Sequence, residues 1–137
     1  MPTTEIVVGL DDSPSARAAL RWAARHARIT RSDLRGVHVD VARRYDEIED
    51  AHRASITAVF DEIQPPGDWL LQFASGDAGH VLVRESENSQ LLVVGTREHV
   101  GLGRVLAGSI SHYCLSHAVC PIVAVPAEYR AEEAPQS

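Results

Sequence analysis

The sequence predicts an α/β fold, a doubly wound parallel sheet of five strands in the order 3-2-1-4-5 with helices on both faces. Three observations carry that prediction. Five short runs rich in valine, isoleucine and leucine recur along the chain, each continuous enough to be a strand buried on both faces. Longer segments with helical spacing separate them, so strand and helix alternate from end to end, as crossover connections between parallel strands require. Loops carrying aspartate, glycine and serine follow the first and fourth runs, the two places where a sheet of this order reverses direction and opens a crevice.

Each element has its own warrant. Ile6-Val7-Val8 centres the first strand, Glu5 to Leu10, and Asp11-Asp12 closes it. Ser13-Pro14 opens the first helix, because serine caps free N–H groups and proline lacks only a donor that the first turn does not need. That helix is expected to run to about Ile29, with Ala16, Ala19, Leu20, Ala23 and Ala27 against the sheet. Arg17, Arg21, Arg25 and Arg28 line its other side and read as a solvated face, offset by acidic residues elsewhere. Leu34 to Val39 is the second strand and Asp46 to Ile63 the second helix, with Ile48, Ala51, Ile56, Val59, Phe60 and Ile63 as its buried positions. Pro65-Pro66-Gly67 ends it. Trp69 to Phe73 is the third strand, Ser75-Gly76-Asp77 a turn, and Ala78 to Ser86 the third helix. Leu91 to Val94, Ser109 to Ala118 and Ile122 to Val125 complete the alternation. One domain is expected over residues 1–127, with a flexible tail over 128–137, rich in alanine, glutamate and proline.

Composition removes several classes of function. A net charge of −6 and an aromatic share of 5% argue against a nucleic-acid surface. No apolar run approaches the ~18 residues that span a bilayer, and Met1 to Glu5 offers no basic region ahead of an apolar core. A cytoplasmic protein, with no membrane partner, is the expectation. All 13 basic residues are arginines, which excludes Schiff-base, Walker-loop and kinase-type lysine chemistry. The two cysteines, Cys114 and Cys120, form no Cys-x-x-Cys pair and are expected to be reduced and structural. The seven histidines are scattered along the sequence. Cys114 and His117 share a helix face, but zinc would need at least one more ligand, so no metal site is expected, nor any catalytic group.

Asp11-Asp12 could mark a receiver domain, in which paired acids hold Mg²⁺. Such a domain also needs an acceptor aspartate closing strand three and a lysine closing strand five. Strand three reads Leu70-Leu71-Gln72-Phe73-Ala74-Ser75 and there is no lysine, so that reading fails.

The strongest signal is Gly95 with Gly108-Ser109. A glycine where a strand turns into a loop permits positive φ or close approach of a ligand. Gly-Ser at a helix start supplies N–H groups, a hydroxyl and the positive helix end to an anion. Any strand-to-helix turn also favours these residues; their spacing and flanks carry the argument further. Gly95, the interval to Gly108-Ser109, Cys120-Pro121-Ile122-Val123, Asp11 before Ser13, His38-Val39 and Gly76-Asp77 together resemble the universal stress protein family over Glu5 to Pro126. The resemblance implies a regulatory module that binds ATP or AMP, with Mg²⁺ an optional companion. It implies action through partners in stress response, and any hydrolysis is expected to be slow, since no placed general base is evident. It also implies Asp11 and Val39 at the adenine-ribose end, Gly95 and Arg97 in the phosphate loop, and Gly108, Ser109 and Ser111 at the phosphates. In the family the final strand pairs across a two-fold axis, which implies a homodimer through Ile122 to Val125.

One position departs from the family pattern of glycine, two residues, glycine, nine residues, glycine: Glu98 stands where the second glycine is expected. A carboxylate about 4 Å from a phosphate costs on the order of 4 kcal/mol at an effective dielectric of ~20, roughly a thousandfold in affinity. A dimeric interaction protein that no longer binds nucleotide is therefore the alternative expectation.

Overall fold

The computed structural model describes residues 4–40, 46–96 and 109–130, with the side chains of all but 46–49 and 109. Nine elements alternate along the chain: β1 (Glu5–Gly9), α1 (Pro14–Thr30), β2 (Asp33–Asp40), α2 (Asp46–Asp61), β3 (Leu70–Ser75), α3 (Ala78–Glu85), β4 (Leu91–Gly95), α4 (Ser109–His117) and β5 (Ile122–Val125). The five strands form one sheet in the order β3-β2-β1-β4-β5, and every pairing is parallel. Fold class and strand order are as the sequence predicts, and each boundary falls within a few residues of its expected place.

The sheet divides two cores by the two-residue period of its strands. Ile6, Val8, Leu34, Leu91 and Val93 face a cluster with α1 alanines and with Ile56, Val59 and Phe60 of α2. Val7, Val37, Leu92 and Val94 face the other side, against Val81 and Leu82 of α3 and Cys114 of α4. Connections that step one way along the sheet put their helices on one face, and those that step back put theirs on the other, as right-handed crossovers dictate.

Helix α1 starts as expected, and its C-terminal cap is a further feature. Ser13 at its N-cap accepts a hydrogen bond from the Ala16 N–H, Pro14 stands in the first turn, and Arg31 ends it in the left-handed region at φ 57°. Its alanines are buried to within a few per cent of complete, which lets the helix lie close to the strands. Helix α2 corrects one expectation: Ala51 is exposed, on the side turned from the sheet, while Ile56, Val59 and Phe60 are buried and Ile63 partly so. The expected Ile48 contact lies outside the described side chains. Tyr129, beyond β5, packs partly against the first core.

Candidate functional site

A crevice of about 240 Å³ opens at the carboxyl edge of the sheet, lined by Leu10, Asp11 and Asp12 after β1, Val39 and Asp40 of β2, Gly95 of β4 and Ile110 of α4. It lies at the reversal of strand order between β1 and β4, where sheets of this type hold their ligands. Asp11 and Gly95, distant in sequence, therefore share one cleft as expected.

Asp11 is held by its own turn. Its carboxylate accepts the Ser13 N–H at 2.8 Å, and Ser13 in turn caps α1 through the Ala16 N–H at 3.2 Å. The chain thus turns from β1 into α1 through two consecutive side-chain caps, which hold the acid at the crevice mouth. Val39 lines the crevice from β2 and packs partly on the second core.

Gly95 is buried, and packing alone already requires a glycine there. The described residues with positive φ are Arg31, Gln64 and Gly76, so backbone handedness does not select it. A Cβ there would stand 2.5 Å from the carbonyl carbon of Ser15 and 2.6 Å from its carbonyl oxygen. The close approach that demands glycine is that of β4 to the first turn of α1.

Ser109 begins α4. Ser111 is only 6% exposed and is not among the lining residues, whereas its neighbour Ile110 is. Arg97, Glu98 and Gly108 lie outside the described residues. Gly76-Asp77 has a structural part: Gly76 takes φ 130°, and Asp77 caps α3 by accepting the His80 N–H. The hydrogen bond from the His80 side chain, then that from its N–H, holds the Asp77 carboxyl below the usual aspartate range. Cys114 is buried; burial, with a lesser push from Cys120, raises its thiol to about 11. An unreactive, structural cysteine follows.

Reading the sequence missed one group altogether. His38, noted only as part of the His38-Val39 pair, and Asp40 share the α1/α2 face of β2, and His52 on α2 closes on them. His38 Nε2 lies 2.8 Å from His52 Nε2 and 3.2 Å from Asp40 Oδ1, and all three residues line the crevice. The available signal was the spacing of two along β2, which puts both side chains toward the helix that follows.

Fold and crevice define a class, the doubly wound α/β proteins with a ligand cleft at the switch point. The model of the universal stress protein family matches residues 3–64 and 70–126, and the chain belongs to that family. It is 34% identical over 151 aligned positions to the universal stress protein Rv2623 of Mycobacterium tuberculosis, covering 88% of this chain and 46% of that one. The chain spans about half the length of the first curated relatives it matches. Among solved structures it resembles the universal stress protein of Archaeoglobus fulgidus in complex with dAMP, with TM-score 0.65 and 20% identity over 91% of this chain and 99% of that one. It also resembles a universal stress protein family protein of Arabidopsis thaliana with AMP bound, with TM-score 0.63 and 23% identity over 98% and 97% of the two chains. These likenesses establish the fold.

Proposed function

We propose that the crevice binds an adenine nucleotide, ATP or AMP, and that the chain is a stress-response binding module rather than an enzyme. The observation that carries this is the meeting of Asp11 and Gly95 in one cleft at the switch point between β1 and β4. Two proteins of the same fold that hold dAMP and AMP support it. In this reading Asp11 and Val39 take the adenine-ribose end. Gly95 and Arg97 form the phosphate loop, and Gly108, Ser109 and Ser111 serve the phosphates, Mg²⁺ accompanying ATP. Hydrolysis is slow at most, and the module works in the cytoplasm.

The test begins with the purified protein, denatured so that any bound adenine nucleotide is released for chromatography, followed by calorimetric titration with ATP and Mg²⁺ and with AMP. Binding heat is expected, and Asp11→Asn is expected to weaken it about tenfold, the value of a charge-assisted hydrogen bond to the ribose. Glu98→Gly is expected to tighten ATP binding, by up to roughly a thousandfold if the carboxylate faces the phosphates. No released nucleotide, and no heat with either the native chain or Glu98→Gly, would overturn the reading.

A second reading has its own observation. β5 is an edge strand, and near it Leu115 and Val119 are 56% and 73% exposed. An apolar edge of this kind favours pairing with a second copy, so a homodimer through Ile122–Val125 accompanies the nucleotide module or, where Glu98 prevents binding, stands in its place. Heat from Glu98→Gly but not from the native chain would favour that second reading.

A further inference from the structure

We propose that His38, Asp40 and His52 form a binding site for a zinc ion at the β2/α2 side of the crevice. The three ligand atoms lie within 4.8 Å of one another. His38 Nδ1 is 2.7 Å from the Leu10 carbonyl oxygen, which can only accept, so Nδ1 carries a hydrogen and Nε2 is the ring nitrogen turned toward the cluster. A backbone carbonyl fixing the tautomer of a ring in this way is the usual outer support of a metal-ligating histidine.

The other two members complete the donor set. The Asp40 side chain is 11% exposed, and neither of its oxygens has a hydrogen-bond partner among the described residues. Arg53 Nη2 stands 3.7 Å from Oδ2, near enough to offset charge and too far for a hydrogen bond. Burying a carboxylate without hydrogen bonds is costly, and a cation among the three side chains removes that cost. Zinc bonds of about 2.1 Å in a tetrahedron set ligand atoms about 3.4 Å apart. The separations of 2.8 Å between the two Nε2 atoms, 3.2 Å from His38 to Asp40 and 3.8 Å from His52 to Asp40 straddle that value, so displacements of a few tenths of an ångström suffice. Two imidazoles and one carboxylate suit zinc and its first-row neighbours rather than Mg²⁺, which prefers oxygen alone. Three protein ligands leave the fourth position toward the crevice, where water or a group of a bound molecule would sit.

This site does not depend on nucleotide binding, and the metal alone tests it. The 137-residue chain without a histidine tag is stripped with a chelator, equilibrated with Zn²⁺ and passed through a desalting column, and retained zinc is counted by elemental analysis. Co²⁺ is then added to stripped protein and its visible spectrum recorded. One zinc per chain and an intense, tetrahedral-type cobalt spectrum are expected, neither reproduced by Mg²⁺. Asp40→Asn and His52→Ala each remove one ligand and leave the buried His38 in place. Each is expected to lower zinc affinity by at least the roughly 10- to 100-fold that loss of an outer partner alone costs, with an unchanged circular dichroism spectrum. No retained zinc in the native chain, or equal zinc and the same cobalt spectrum in both variants, would overturn the proposal and leave a hydrogen-bonded histidine pair beside a buried acid.

Discussion

A methyl group added at Gly95 meets the carbonyl group of Ser15 at 2.5 and 2.6 Å, as well as the Ser15 hydroxyl at 2.6 Å. The hydroxyl can rotate away, but the carbonyl cannot, so β4 must shift against α1, and overpacking of that kind costs about 1–3 kcal/mol. Gly95→Ala is therefore expected to lower the midpoint of urea unfolding at unchanged slope; a midpoint equal to that of the native chain would contradict the account. The family motif and the packing requirement coincide at this residue. Its presence is thus explained by the fold before any ligand is considered, which is why Asp11 and the histidine cluster are the more informative residues of the crevice.

The arginine face of α1 shows how an element acquires a role from its neighbours. Arg28 donates to the carbonyl oxygens of Ile63 at 2.7 Å and Gln64 at 3.1 Å, and its guanidinium lies 5.0 Å from the centre of the Trp69 ring. It therefore satisfies carbonyls just past the end of α2 and spans the connection to β3. Arg17 pairs with Glu62 at 2.9 Å, with both side chains well exposed. Surface pairs of that kind contribute at most about 1 kcal/mol. Arg28→Ala is expected to cost about 1–2 kcal/mol, since charged donors to carbonyls and a stacked ring are both lost, whereas Arg17→Ala costs less. Arg28→Lys should recover only part, because an ammonium cannot serve two carbonyls and a ring face as a planar fork does. Equal midpoints for Arg28→Ala and the native chain in thermal melts would remove the argument.

At the scale of the whole molecule, one ion network closes the amino edge of the sheet opposite the crevice. Arg35 on β2 pairs with Glu5 on β1 at 3.0 Å and with Glu85 at the end of α3 at 2.6 Å, all three side chains being mostly buried. The hydrogen bond from Arg35 outweighs burial and holds the Glu85 carboxyl below the usual glutamate value of 4.5. For Arg35 itself burial pulls downward, and the hydrogen bonds and charges of Glu5 and Glu85 more than offset it, so its pKa is raised. A carboxyl with a depressed folded value stabilises the fold fully above its unfolded value and ceases to do so as pH falls through the folded one. Unfolding free energy is thus expected to drop as pH is lowered below about 4.5. Arg35→Gln is expected to cost about 1–3 kcal/mol at neutral pH, discounted from a fully buried pair for partial exposure, and to flatten that acid limb. Denaturant titrations across this pH range check both; an acid limb of the same steepness in Arg35→Gln would show that the network does not produce it.

The alternation of strands and helices, the strand order, the N-terminal cap of α1 and the meeting of Asp11 with Gly95 were legible along the chain. Strand burial, helical spacing and capping are short-range patterns, and right-handed crossovers leave few ways to arrange them. Gly95 was legible as a required glycine, but its packing reason was not, because the neighbour involved lies on another element. Ala51 was misplaced because helical spacing alone does not say where a helix leaves the sheet. That Arg28 closes the end of α2, and that His38, Asp40 and His52 converge, is visible in three dimensions alone. Each of those meetings joins side chains from separate elements, and a pattern read along one element carries no information about the angle at which the next is laid beside it.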